Sequence, residues 1–206
     1  ALLLNEIKNK FMKRSIQTIV YLPNFLSWVI LATVVVNIFS YEGPINAVLE
    51  MLGIEPILFM ASNKWFRSVL IVTDVWKGFG YGAIIYLAAL SGIDPGLYEA
   101  AAIDGANRFK RVWHITLPGI LPTIMLVTIM NLPNVLNAGF DQIFNLYNPL
   151  VMETADIIDT WVYRVGLVER QYSLGTAVGL LRSIVGIILM LSANKIAQKV
   201  TDYRIF

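Results

Sequence analysis

From Ser15 to Ser40 the chain carries no charged residue, and its interior runs through Val29, Ile30, Leu31, Val34, Val35 and Val36. That run is long enough to cross the roughly 30 Å hydrocarbon core of a bilayer, and it predicts the strongest span, at about 15–40. Phe66 to Leu90 predicts a second span, at about 66–90, because apolar stretches from Val69 to Val72 and from Ala83 to Leu90 flank Asp74 and Lys77, with Arg67 at the edge. Val112 to Ala138 predicts a third, at about 112–138. Pro118, Pro122 and Pro133 predict kinks there, since neighbouring helices must satisfy the backbone carbonyls that proline frees. Leu174 to Asn194 predicts a fourth, at about 174–194, with Arg182 its one charge and Gly175, Gly179 and Gly186 along it. The predicted fold class is all-α, a polytopic membrane helical bundle with four complete spans in one transmembrane domain. The chain starts with Ala1 rather than Met, and Ala1 to Leu4 is apolar, which predicts the end of an earlier hydrophobic segment and an N-terminally truncated fragment.

Composition supports lipid as the solvent. The 206 residues are 57% hydrophobic and 15% charged, against about 45–50% and about 25% in soluble domains, and the mean hydropathy is +0.65. A net charge of +2, with no continuous basic stripe, excludes a nucleic-acid footprint. The absence of cysteine excludes a disulfide framework, an iron–sulfur cluster and a thiol nucleophile. Lys8, Lys10, Lys13 and Arg14 precede the first span, Arg108, Lys110 and Arg111 lie between the second and third, and Lys195, Lys199 and Arg204 follow the fourth. Only Lys64, Arg164 and Arg170 lie on the other side. Ten basic residues against three place the chain start, the 91–111 loop and the C-terminus in the cytoplasm, with 41–65 and 139–173 facing out.

The 91–111 loop carries the most specific signal. Asp94 suits an N-cap, Pro95 suits the first helical position, Glu99 to Ile103 is strongly helix-forming, and Gly105 is placed to end the helix in a left-handed conformation. A second short helical stretch is predicted from Ala106 into Trp113. Read physically, this is either a linker between two spans or a small-residue surface, Ala100 to Ala102, that a groove on another protein could approach closely. Glu99-Ala100-Ala101, Gly105 and Ile115-Thr116-Leu117-Pro118 together resemble the EAA loop of binding-protein-dependent type I ABC importer permeases, in sequence and in spacing. Asp104-Gly105-Ala106 resembles the sugar-importing members. The likeness extends to Asp74-Val75-Trp76-Lys77-Gly78-Phe79-Gly80, Asp156-Ile157-Ile158-Asp159-Thr160 and Val162-Tyr163-Arg164-Val165-Gly166-Leu167, and so to almost the whole chain.

The resemblance implies a multi-pass permease subunit in the plasma membrane of a prokaryote, importing oligosaccharides or other complex carbohydrates. Glu99, Ala100, Ala101, Asp104, Gly105, Ala106, Ile115, Leu117 and Pro118 would couple it to ATP-binding cassette ATPase subunits. A second permease subunit and an extracytoplasmic solute-binding protein are the other implied partners. ATP would be used by the ATPase, and no cofactor is expected in this chain, which has no Gly-x-x-x-x-Gly-Lys-Ser/Thr loop. Gly78 and Gly82 fit small-xxx-small helix packing.

Polar residues inside the spans raise separate questions. Asp74 and Lys77 share a helix face about 12–17 Å into their span, where an ionised side chain costs at least about 2.5–3.5 kcal/mol if it faces lipid. They read as the wall of a translocation path or as an internal ion pair. Arg182, about 12 Å into the last span, raises the same question of path wall or internal pair, and competes for Asp74, the one acid well inside a span. Asn131, Asn134 and Asn137 recur on one side of the third span, either meeting sugar hydroxyls as donor and acceptor or gluing helices together. His114 has no companion for a metal site and reads as interfacial. The external segment sets Ile157, Ile158, Trp161 and Val165 as an apolar helical stripe. An ion-coupled secondary transporter using Asp74, Lys77 and Arg182 is the alternative reading.

Overall fold

The computed structural model describes residues 1–7 and 9–201, without the side chains of Pro133 and 196–201. Of the basic residues counted for orientation, Lys8, Arg204 and the side chain of Lys199 lie outside the described residues. Helices are the only regular elements among the described residues. They are α1 (Leu2–Glu6), α2 (Lys10–Phe25), α3 (Trp28–Ile38), α4 (Pro44–Met51), α5 (Asn63–Ser91), α6 (Pro95–Ile103), α7 (Arg108–Arg111), α8 (Leu117–Asn131), α9 (Phe140–Leu146), α10 (Met152–Ala155), α11 (Ile158–Val162) and α12 (Tyr172–Thr201).

Among the described residues, three helices are long and apolar enough to cross a membrane: Asn63–Ser91, Arg108–Asn131 and Tyr172–Lys195. Along α12, Leu180, Leu181, Ile184, Ile187, Ile188 and Leu191 are each more than half exposed, the surface expected of a helix solvated by lipid. The charge-free run at 15–40, expected to be the strongest span, is not one helix. It consists of α2 and α3, which pass the same test together but are bent by 106°. The cause is local. Pro23 sits in the last turn of α2, and Ser27 opens α3 as an N-cap whose hydroxyl accepts from the Ile30 amide at 3.4 Å. A new helix is thereby initiated two residues after the old one ends.

The third span also departs from its expected bounds. It starts at Arg108, passes through a π-helical turn at Val112–Thr116, and its α-helical part ends at Asn131, followed by a 3-10 turn at Leu132–Leu136. Pro118 has no amide hydrogen and its ring crowds the carbonyl four residues back, so a widened turn just before it relieves both problems.

The residues cluster into two compact units. One comprises Ala1–Val20, Gly80–Pro133 and the chain from Val185. In it α5 lies close against α2 at Gly80, where a Cβ would run into the backbone of Val20, and Gly119 accommodates the Ile93 side chain. The other unit, Tyr21–Phe79 and Asn134–Ile184, has a core of Ala32, Val35, Phe59, Phe66, Val69, Leu146, Val151 and Ala155, with α3 packed on α9. Phe59 meets Phe39 and Trp65 edge-on at 5.6 and 5.8 Å between centroids. Asn46 is fully buried beside this core. It donates to Ser40 O and Ile57 O at 3.0 and 2.9 Å and accepts from the Ile57 amide at 2.9 Å, so its amide binds the 40–57 segment to α4 with no unpaired atom.

Candidate functional site

The 94–106 segment is built by its own end chemistry. Asp94 Oδ1 accepts from the Gly96 amide at 2.9 Å, and Pro95 occupies the first turn. At the other end Gly105 takes φ +76°, its amide donates to Ala102 O at 3.2 Å, and the Ala106 amide reaches back to Ala101 O at 2.9 Å. These two bonds form a Schellman cap, which a residue with positive φ makes possible. No residue of α6 is buried, and Glu99, Ala100, Asp104 and Gly105 are exposed while Ala101 and Ala106 are half-buried. Leu97 and Ile103 add uncovered apolar surface, Ile103 at 88% exposure. The helix is held from one side. Tyr98 and the buried Thr116 share a hydroxyl–hydroxyl hydrogen bond of 3.0 Å, linking α6 to the π turn that holds Ile115 and precedes Leu117 and Pro118. Asn107 then caps α7 by accepting from the Lys110 amide at 2.9 Å.

A second candidate lies in the other unit, an open cavity of about 610 Å³. Its polar lining includes Arg67 and Asp74 from α5, Asn134 and Asn137 from the turn after α8, Gln142 from α9, and Asp156. Gln142 is buried and donates to Leu70 O at 2.7 Å and Thr73 Oγ1 at 2.9 Å, which fixes α9 to α5. Arg67 Nε donates to Thr154 O at 3.2 Å, which steadies the guanidinium at the rim. Asp156 is paired with Arg164 at 2.7 Å and accepts from Thr160 Oγ1 at 2.6 Å. The hydrogen bond from Arg164 holds the Asp156 carboxyl below the usual carboxylate range, and the same bond raises Arg164.

The structure separates residues that the sequence grouped. Asn134 and Asn137 line the cavity, whereas Asn131, still helical, turns its amide back to Val127 O at 2.9 Å. Of the two readings left open for Asp74 and Lys77, the ion pair is not among the salt bridges of the described residues, and Arg182 does not pair with Asp74 either. Lys77 Nζ donates instead to Pro23 O, Asn24 O and Leu26 O at 3.3, 3.0 and 2.6 Å. Those carbonyls lie at the broken end of α2, and an ammonium has three hydrogens to give them. Arg182 pairs with Asp159, which the sequence placed outside the spans. The three residues of the ion-coupled alternative therefore make no common cluster of ion pairs.

Residues 1–202 match the family described as the binding-protein-dependent transport system inner membrane component. The chain belongs to this family. Among curated relatives of this inner-membrane component, Protein LplB of Bacillus subtilis (strain 168) is 44% identical over 207 residues, covering 100% of this chain and 65% of that protein. The polygalacturonan/rhamnogalacturonan transport system permease protein YteP of the same strain is 41% identical over 207 residues, covering 100% of this chain and 64% of that protein. The chain thus spans about 65% of the length of these relatives. Among solved structures, a bacterial ABC transporter involved in the import of the acidic polysaccharide alginate matches with a TM-score of 0.93 at 40% identity, over 97% of this chain and 70% of that one. A bacterial alginate ABC transporter in complex with an alginate pentasaccharide-bound periplasmic protein matches with a TM-score of 0.94 at 40% identity, over 99% and 71%. The fold is accordingly the membrane helical bundle of ABC importer permeases.

Several positions in this family member escaped the sequence reading. Tyr98 and Thr116 lie within the motif, but nothing in their spacing announces a hydrogen bond across 18 positions. Gln142 had a weak signal, an amide in a short apolar helix directly after Gly139, whose φ is +81°. Asp159 lies outside the apolar runs, so nothing in the sequence singles it out from the other external acids as the partner of Arg182.

Proposed function

We propose that the chain is the transmembrane permease subunit of an ATP-driven type I ABC importer for oligosaccharides or other complex carbohydrates. The carrying observation is α6, an exposed helix bearing Glu99, Ala100 and Ala101, closed at Gly105 and tied to the next transmembrane helix through Tyr98 and Thr116. A surface that is uncovered, capped at both ends and tied to the next helix on one side can take a load from a partner and pass it to the bundle. Its partners are ATP-binding cassette ATPase subunits, a second permease subunit, an extracytoplasmic solute-binding protein and membrane lipid. The chain has no nucleotide site or cofactor of its own and is not an enzyme; ATP is used by the ATPase.

ATP binding closes the paired ATPases, the 94–106 segment follows, and the bundle turns from inward-open to outward-open; hydrolysis resets it. Such a cycle needs ATP to favour one of two states by differential contact, and the coupling segment is where that difference enters. Glu99 and Asp104 orient the docking, while Ala100, Ala101 and Ala106 allow close approach and Ile115, Leu117 and Pro118 carry the motion into α8. Asp74, Asn134 and Asn137 are the proposed path residues, with Arg67 beside them in a cavity within the roughly 300–1,000 Å³ of ligand pockets. Carbonyl and amide groups there can accept from and donate to saccharide hydroxyls.

The test is uptake by the full-length permease reconstituted with its ATPase and binding protein. Glu99→Lys or Gly105→Pro is expected to cut uptake sharply while the binding protein's sugar affinity is unchanged. Normal uptake by both variants would overturn the coupling role.

A further inference from the structure

The broken end of α2 is organised around one positive charge. Carbonyl oxygens of Pro23, Asn24 and Leu26 converge on Lys77 Nζ at 3.3, 3.0 and 2.6 Å, and the Trp28 ring lies 5.6 Å from the same atom at its centroid. Pro23 is buried, and Asn24, Leu26, Trp28 and Lys77 are half-buried. Pro23 O also accepts from the Leu26 amide at 3.3 Å, but the last carbonyls of a helix carry partial negative charge and have lone pairs that the helix's own amides leave free. In a bilayer those carbonyls have no water to turn to, so a break inside a span requires a cation or donors at that point. Converging carbonyls at the end of a half-helix are also how discontinuous membrane helices hold a free alkali cation. Here an ammonium tethered to α5 fills that position, with an aromatic face completing the shell.

We propose that the break in the first span is a monovalent-cation seat whose resident is Lys77, and that removing the side chain's charge converts it into a site for Na⁺, K⁺ or a small alkylammonium from solution. Lys77 is a positioning residue: it holds in place the 106° turn between α2 and α3 that Pro23 and Ser27 set locally. It also accounts for the lack of an Asp74–Lys77 pair, because all three ammonium hydrogens are committed to the carbonyls at the end of α2 and just beyond it.

The test uses the full-length protein purified in detergent, with unfolding followed by tryptophan fluorescence in NaCl, KCl, methylammonium chloride and choline chloride at equal ionic strength. The unsubstituted protein is expected to melt at one temperature in all four salts. Lys77→Ala is expected to melt lower in choline chloride by about 5 °C or more, and to regain at least half of the loss in one of the three small-cation salts. Lys77→Arg, which keeps charge and donors, is expected to stay near the unsubstituted protein and be indifferent to the salt. If Lys77→Ala does not accumulate, Lys77→Gln carries the same comparison. Melting of the neutral variant at the unsubstituted temperature, or the same loss in all four salts, would overturn the proposal.

Discussion

Gly105 allows backbone conformation and side-chain contact to be separated in the coupling loop. Its φ is +76°, and a Cβ built there meets no atom within 4 Å, so a substitution costs conformational energy without a clash inside the chain. An ordinary L-residue in the left-handed region costs about 1–2 kcal/mol, with β-branched residues worst and asparagine least affected. Against this stand the two capping bonds, Gly105 to Ala102 and Ala106 to Ala101, each contributing about 0.5–1.5 kcal/mol net. The penalty is comparable with what holds the cap closed, so Gly105→Ala populates an uncapped loop appreciably and Gly105→Val does so extensively. In proteoliposomes carrying the full complex, uptake per ATP hydrolysed is expected to fall severalfold for Ala and roughly tenfold for Val, since 1.4 kcal/mol is about a factor of ten. Asn is expected to stay within about twofold. Amide hydrogen exchange at Gly105 and Ala106 should rise in the same order. Exchange and coupling in Gly105→Val equal to those of glycine would refute the conformational argument. An effect of Asn as large as that of Val would instead assign the position to a steric contact with a partner.

Other expectations follow from single contacts. Gly80→Ala drives a methyl into Val20 backbone, an obstacle that trimming the Val20 side chain does not remove; it should lower stability by about 1–3 kcal/mol in urea or thermal melts, with no rescue by Val20→Ala. Asp159 and Arg182 each keep 23% side-chain exposure, so replacing either by alanine should cost about 1–3 kcal/mol, less than for a fully buried pair. The double-alanine variant should cost less than the sum of the two, and strict additivity would mean that the pair contributes nothing. Asp156 has a lowered pKa when folded, so its contribution is fully present above the unfolded value of about 3.9 and is lost as the pH falls through the lower folded value. The stability difference between the unsubstituted protein and Asp156→Asn, measured across an acid titration, should therefore be flat near neutrality and shrink in acid. A difference independent of pH would count against the Arg164 pairing.

The contrast between α6 and the first span shows where sequence is informative. Asp94, Pro95 and Gly105 act within four or five residues of their own backbone, so their roles as N-cap, first-turn residue and left-handed terminator could be read without knowing what surrounds them. The helical character of the chain was equally legible, because a hydrocarbon solvent forces every spanning backbone to satisfy itself. The bend at 25–28 was not legible in hydropathy, which sums apolarity without direction: residues on both sides of the break are apolar, and Pro23 and Ser27 become decisive only when capping is considered.

What tertiary structure alone decided is which partners Lys77 and Arg182 take. Helical spacing puts Asp74 and Lys77 on one face, yet the long lysine stem reaches carbonyls more than 50 positions away. Arg182 finds Asp159 across 23 positions, and of the three regularly spaced asparagines two line the cavity while the third bonds its own helix. Capping energies are local and travel with the sequence. A charge in low dielectric takes whichever unsatisfied group the fold brings within about 3 Å, and that proximity is a property of packed helices and not of any one of them.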